Sequence, residues 1–270
     1  IWGTMLGLSA TMLSMFGIFG AILSGTGGAE TFIKMGQRFT GRFTGGSGKV
    51  SVVASSLFGM ISGSAIGNVV ATGVFTIPSM KKAGYTNEWA ATVEAVSSTG
   101  GQIMPPIMGA AAFIMAQLIG VNYIQIAKAA IVPALLYYLS TFLSIHLVSV
   151  RDGIKGSNEK PTIKVGDYLI ILVPLVIFIG FLLAGYTVLI GAFYATIGAL
   201  AMYVVRFIVS TKGDVKAVAK DTGKVCYNTV INGTNSIIDM CGILAGSQIT
   251  VSLINLTGFG CLLYTSDAAD

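Results

Sequence analysis

The sequence predicts an all-α polytopic membrane protein, built as an inverted repeat with a re-entrant helical hairpin and discontinuous helices. Three observations carry that expectation. The first is composition: 54% of the 270 residues are hydrophobic and 10% are charged, against roughly 25% charged in soluble domains. The second is where the basic residues fall. Four inter-helix clusters hold them: Lys34, Arg38, Arg42 and Lys49; Lys81 and Lys82; Arg151, Lys155, Lys160 and Lys164; and Arg206, Lys212, Lys216, Lys220 and Lys224. Only Lys128 lies apart. Threading every cluster onto one face satisfies the positive-inside rule, so the net charge of +5 reads as a membrane signal and argues against a nucleic-acid partner. The third is the stretch from Val50 to Tyr85, uncharged over 50–80 but carrying Ser62, Gly63, Ser64, Gly67 and Asn68 at its centre.

Taken in order, residues 5–24 offer close to the roughly 20 apolar residues that span a bilayer, running inward. Residues 29–44 set Phe32, Ile33, Met35, Phe39 and Phe43 among Lys34, Arg38 and Arg42, the pattern of an amphipathic arm in the cytoplasmic interface. GGSGKV at 45–50 is not a phosphate loop, because Phe43 stands where its first glycine belongs and Val50 where its Ser or Thr would hold magnesium. Residues 50–80 then read as two half-length helices folded back at an unwound tip, Ser62–Asn68. Both ends of this hairpin are basic, which a single crossing would not allow. Irregular backbone at membrane depth is tolerated where it is buried or lines a cavity, and transporters use it to coordinate ions and substrate.

Residues 87–119 form a second discontinuous segment, this one crossing. Asn87 is expected to cap it, and Thr99-Gly100-Gly101-Gln102-Ile103-Met104-Pro105-Pro106 breaks it, since two prolines remove donors and disfavour helix before them. Residues 125–149 return with a kink at Pro133, and 151–166 is a polar cytoplasmic linker. Residues 167–186 and 187–206 go out and back, 211–227 is a second basic interfacial stretch, and 233–256 crosses outward.

The ending LTGFG at 256–260 echoes LSGTGG at 23–28 in a helix of opposite direction, which fits an inverted repeat. The resulting division is a first repeat at 1–150, the linker at 151–166, intervening elements at 167–228 and the start of a second repeat at 229–260. With Ile1 already inside a helix, the chain reads as a piece of something longer, to be continued by a second hairpin. The polar residues 261–270 read as a non-native tail.

Three ordered motifs carry a family resemblance: GMISGSAIGNVVATGVFTIPSMKKAGY at 59–85, AVSSTGGQIMPPIMGAAAFIMA at 95–116 and AAIVPALLYYLS at 129–140. Over roughly residues 5–260 the chain resembles the large membrane subunit of tripartite ATP-independent periplasmic (TRAP) transporters, in the fused permeases of the TAXI branch. Gly67 stands where that motif has Ala. The resemblance implies a multi-pass permease of the bacterial or archaeal cytoplasmic membrane. It also implies a periplasmic substrate-binding protein that delivers small organic acids, and a small membrane subunit or its fused equivalent. Uptake would be driven by sodium, through an elevator-like displacement of a domain holding two hairpins, with the ion between a hairpin tip and the break of the following helix. Sodium is then the coupling ion, and no organic cofactor is implied.

Sodium takes hard oxygen ligands, which unwound backbone and helix ends supply in transporters. The candidate ligands are Ser62 and Ser64 of the tip and the carbonyls of Gly101, Met104 and Pro106 in the break. Gly63, Asn68, Thr99, Gly100, Gln102 and Pro105 complete the tip and substrate surround, with Asn68 either bracing the tip or facing substrate. The bland alternative, small residues that only permit close helix packing, does not account for the Pro-Pro break. Glu94 and Asp239 are the acidic residues placed nearest the membrane interior, where charge marks function; Glu94 is expected near the cytoplasmic interface in a pairing role ahead of a coupling one. His146 reads as interfacial. Met104, Met108 and Met115 read as packing residues, as do Cys226, Cys241 and Cys261, which show no paired or metal spacing.

Two rival functions follow from the same residues. A sodium/carboxylate transporter of related architecture would work without a binding protein. An intramembrane enzyme would need a His-Glu-x-x-His site, a Gly-x-Ser-x-Gly elbow or a second histidine, and the sequence has none of them.

Overall fold

The computed structural model describes residues 7, 11, 14–156, 165–210 and 215–258. Among these, helices run α1 Ser14–Gly25, α2 Gly28–Thr40, α3 Gly46–Ser62, α4 Ala65–Lys82, α5 Asn87–Gly100, α6 Ala110–Ile119, α7 Tyr123–Arg151, α8 Val165–Leu183, α9 Val188–Ser210 and α10 Val215–Thr257. No strand occurs among the described residues. α7 and the Val188–Ile208 part of α9 are long and apolar enough to cross a bilayer, and Tyr168–Leu183 is a shorter apolar helix. α1 and α2 form a pair bent by 66°.

Among the described residues two apolar clusters hold most of these helices, and a third, smaller one joins Ile33 to Val50 and Ala54. The larger gathers Phe16, Phe19 and Leu23 of α1, Phe58 and Ile61 of α3, Ile107, Phe113 and Tyr123 around α6, and Phe178 of α8. Stacked rings join α1 to α6 and α7, Phe16 on Phe113 at 5.1 Å and Phe113 on Tyr123 at 4.5 Å, a geometry that aromatic quadrupoles favour. The second cluster, Val52, Met80, Tyr85, Val93, Tyr138 and Ile145, joins the far ends of α3 and α4 to α5 and α7. α2 lays Phe32, Ile33 and Gly36 inward along α3 and leaves Phe39 exposed.

α3 and α4 fold back on one another. Their far ends meet through Tyr85, whose hydroxyl donates to the Gly45 carbonyl at 3.3 Å and lies 2.6 Å from Ser149 Oγ. Burial raises the Tyr85 pKa above its ordinary value, so the hydroxyl keeps its proton for these contacts. Beside it Lys49 is buried, its ammonium 3.1 Å from His146 Nδ1 and 4.9 Å from the Phe142 ring. His146 thus joins α7 to the hairpin base.

Several expectations are corrected. The cap of α5 is Thr86, whose hydroxyl accepts the Trp89 N–H at 3.2 Å; Asn87 is already helical. The basic stretch 211–227 and the crossing 233–256 are not separate elements, because α10 runs unbroken through both from Val215. A change in hydropathy does not end a helix, and no proline lies in that stretch. Pro133 lies inside α7, as expected of a proline within that helix. Residues 157–164 of the linker, 211–214, the expected tail 261–270, Cys261 and the side chains of Asp239 and Cys226 lie outside the described residues.

Candidate functional site at the hairpin tip and the helix break

α3 leaves its helix at Gly63, with φ of +63°, a left-handed conformation that glycine adopts at little cost. Ser64 then starts α4 as its N-cap, its hydroxyl accepting the Gly67 N–H at 3.1 Å. The tip is therefore Gly63 and Ser64 alone, narrower than the Ser62–Asn68 expected to be unwound. Capping by Ser64 pulls Gly67 and Asn68 into the first turn of α4. Asn68 is fully buried, donates from Nδ2 to the Ser55 carbonyl at 2.8 Å and accepts the Thr72 hydroxyl at 3.2 Å. Of its two expected roles, this geometry supports bracing.

α5 continues through Gly100, and residues 101–109 make the turn before α6. The N–H groups of Gly101, Gln102, Ile103 and Met104 reach carbonyls three residues back, and the Gly109 N–H closes the turn on the Gln102 carbonyl at 2.7 Å. Tyr123 of α7 donates to the Pro106 carbonyl at 3.0 Å and to that of Ile107, fixing the break to the next helix.

Tip and break meet backbone to backbone. The Ile107 N–H donates to the Met60 carbonyl at 3.1 Å. A Cβ on Gly63 would fall 2.3 Å from the Met108 carbonyl oxygen, and one on Gly59 would fall 2.6 Å from Gly101 Cα. Only glycine permits either approach. The Ser62 hydroxyl is buried here without a hydrogen-bond partner among the described residues, an unusual state for an interior polar atom. Ser62 Cβ lies toward Gly20 of α1, and an orphaned hydroxyl oxygen is the kind of hard donor that a sodium ion takes.

The other predicted residues are distributed unevenly. The Ser64 hydroxyl is engaged by its capping bond, and the Gly101 carbonyl accepts the Met104 N–H at 3.3 Å. Met104 and Pro105 are half-buried. Gly100 serves packing, since a Cβ there would lie 2.5 Å from the Tyr137 ring. Thr99 is exposed and bonds back to the Ala95 carbonyl at 2.8 Å, and the Gln102 side chain is exposed.

Glu94 is fully buried in the protein, inside a ring of hydroxyls from Ser51, Ser55, Thr72, Thr76 and Ser98. A signal was present: Ser51 and Ser55, Thr72 and Thr76, and Glu94 and Ser98 are each spaced i, i+4, which puts each pair on one helix face.

Comparison with known proteins finds that the family described as "Tripartite ATP-independent periplasmic transporter, DctM component" matches residues 2–265. Among curated relatives, the C4-dicarboxylate TRAP transporter large permease protein DctM of Vibrio cholerae is 32% identical over 153 residues, 56% of this chain and 33% of the relative. The sialic acid TRAP transporter permease protein SiaT of Haemophilus influenzae is 29% identical over 139 residues, 51% of this chain and 22% of the relative. The isethionate TRAP transporter permease protein DctMQ of Oleidesulfovibrio alaskensis is 25% identical over 150 residues, 55% of this chain and 23% of the relative. The matched stretches thus cover a third or less of these relatives' lengths.

Proposed function

We propose that this chain, which belongs to the DctM component family of tripartite ATP-independent periplasmic transporters, is part of a permease that takes up small organic acids on the sodium gradient. Its place is the cytoplasmic membrane of a bacterium or archaeon. The observation that supports the reading is the backbone contact between the hairpin tip and the helix break, together with the Ser62 hydroxyl left without a partner among the described residues.

Sodium, when bound, supplies the positive charge that gathers these oxygens, and its gradient supplies the driving force. The chain's own residues do the rest. Ser62, Ser64 and the carbonyls of Gly101, Met104 and Pro106 would hold the ion, while Gly59 and Gly101 keep the two backbones close enough to share it. Asn68 ties the arms of the hairpin, and Tyr123 anchors the Pro106 side of the break. Gly63, Thr99 and Gln102 stand nearest the place for substrate.

On this reading hairpin and broken helix move together as part of an elevator, and residues 1–150 and 229–260 belong to opposite members of an inverted repeat. Delivery falls to a periplasmic substrate-binding protein. A small membrane subunit, or its fused equivalent in the TAXI branch that the motifs at 59–85 and 95–116 resemble, completes the complex. Relatives named for C4-dicarboxylates and sialic acid support an organic acid as substrate.

The test is uptake of a panel of labelled acids by the intact permease in proteoliposomes, with and without an inward sodium gradient and with and without its binding protein. Uptake that requires both supports the reading. Uptake unaffected by sodium contradicts it, and sodium-driven uptake of free acid without the binding protein favours the rival carrier.

A further inference from the structure

Of the three motifs, the one at 129–140 supplies none of the candidate ligands, yet it holds Tyr137 and Tyr138. Both stand on α7, and both hydroxyls reach main-chain carbonyls near the end of α5. Tyr137 donates to Val96 at 2.8 Å and Tyr138 to Ser97 at 3.0 Å. Tyr138 is buried and Tyr137 half-buried, with the two rings edge to face at 5.7 Å. Fifteen residues before Tyr138 on the same helix, about 22 Å by helical rise, Tyr123 donates to the Pro106 and Ile107 carbonyls. One helix therefore grips both shoulders of the break.

The backbone explains why these bonds are needed. An α-helix carried past Gly100 would bond the Gly101 N–H to the Ser97 carbonyl, but here that N–H turns to Ser98 at 3.2 Å. A carbonyl passed over in an apolar interior is costly unless another donor meets it, and Tyr138 brings one. Satisfying a carbonyl does not by itself require two rings pressed onto the chain. That closeness depends on Gly100, where a Cβ would lie 2.5 Å from the Tyr137 ring and 2.9 Å from Tyr138 Cζ. Its neighbour Gly101 meets Gly59 of the hairpin. The last turn of α5 is thus held by α7 on one flank and touches α3 on another.

We propose, on the reading of tip and break as a sodium site, that Tyr137 and Tyr138 are positioning residues for that site: by holding the last turn of α5 they set how near Gly101 and the carbonyls after it come to the hairpin tip. Both act through the backbone, without contact with the ion. Without the hydroxyls the end of α5 keeps its helix but is free to move away from Gly59, and the ligands on the two sides spread. The same ligands, less well organised in advance, then bind the ion more weakly.

The test is equilibrium binding of radioactive sodium to the purified intact permease, with choline holding ionic strength constant, beside amide hydrogen exchange over residues 101–109. Wild type is compared with Tyr137→Phe, Tyr138→Phe and Tyr85→Phe. The last removes the same kind of bond at the base of the hairpin and controls for a general loss of stability. Tyr138→Phe should raise the sodium concentration for half-saturation roughly two- to tenfold, the range that one such bond accounts for, with faster exchange over 101–109. Tyr137→Phe should move both readouts in the same direction, and being only half-buried it serves where Tyr138→Phe fails to fold. Tyr85→Phe should leave both at wild-type values. Wild-type sodium affinity in Tyr137→Phe and Tyr138→Phe would overturn the positioning role and leave the site at tip and break standing. Unchanged exchange over 101–109, or an equal loss of sodium affinity in Tyr85→Phe, would overturn the role as well. A wild type that binds no sodium would overturn the site itself, and with it the role of the tyrosines.

Discussion

Gly59 and Gly101 face each other across the hairpin and the helix break so closely that a Cβ on either would lie 2.6 Å from the other's Cα. The contact sets the spacing between the two groups of candidate ligands. Gly101→Val adds three carbons at this point, and overpacking of that kind costs about 1–3 kcal/mol. The variant should still insert in the membrane, with a lower melting temperature and sodium-driven uptake lost. Uptake at the wild-type rate would mean that the approach is incidental.

Ser64 has two separable roles, cap and ligand. Ser64→Ala should cost about 1 kcal/mol of stability through the lost N-cap and weaken the response to sodium. Ser64→Asn restores capping but changes the oxygen offered to the ion. Thermal unfolding and sodium titration of both variants distinguish the roles: equal stability of Ser64→Asn and wild type with a weaker sodium response is the expected pattern. Full recovery of the sodium response by Asn would reduce Ser64 to a cap.

The Tyr85 contact with Gly45 brings the two ends of the hairpin together, so residues at those ends should share one side of the membrane. Single cysteines at positions 47 and 83, in a background free of Cys226, Cys241 and Cys261, should both be labelled from the cytoplasm only. Labelling of either from outside would remove the re-entrant topology.

Tyr85→Phe deletes the hydroxyl that touches Gly45 and Ser149. A loss of about 1 kcal/mol is expected, read as a lower melting temperature with sodium affinity unchanged, because the site lies at the other end of the arms. A large change in sodium affinity would show that the hairpin base is coupled to its tip.

How much of this was legible depends on the kind of signal. Ser62, Gly63 and Ser64 are conspicuous within an uncharged apolar run, and Pro105-Pro106 cannot continue a helix, so both breaks could be located from residues alone. Their widths could not be. Ser64 extends α4 over Gly67 and Asn68 by capping it, and α5 persists through Gly100 because three-residue hydrogen bonds carry the chain past it. The joining of 215–227 to 233–256 in one helix was hidden because the hydropathy changes there and Asn232-Gly233 reads as a turn. The Glu94 ring shows a different limit. The pairs Ser51 and Ser55, and Thr72 and Thr76, each look ordinary in their own helix, and only the fold of the hairpin against α5 brings both pairs onto the carboxylate of Glu94.

The most direct measurement is the sodium dependence of acid uptake by the intact permease with its binding protein, comparing wild type with Ser64→Ala and Gly101→Val. A sodium site between tip and break predicts that Ser64→Ala needs more sodium for half-maximal uptake and that Gly101→Val fails at every concentration, while both are present in the membrane at wild-type levels. Normal uptake by both variants at limiting sodium would contradict it.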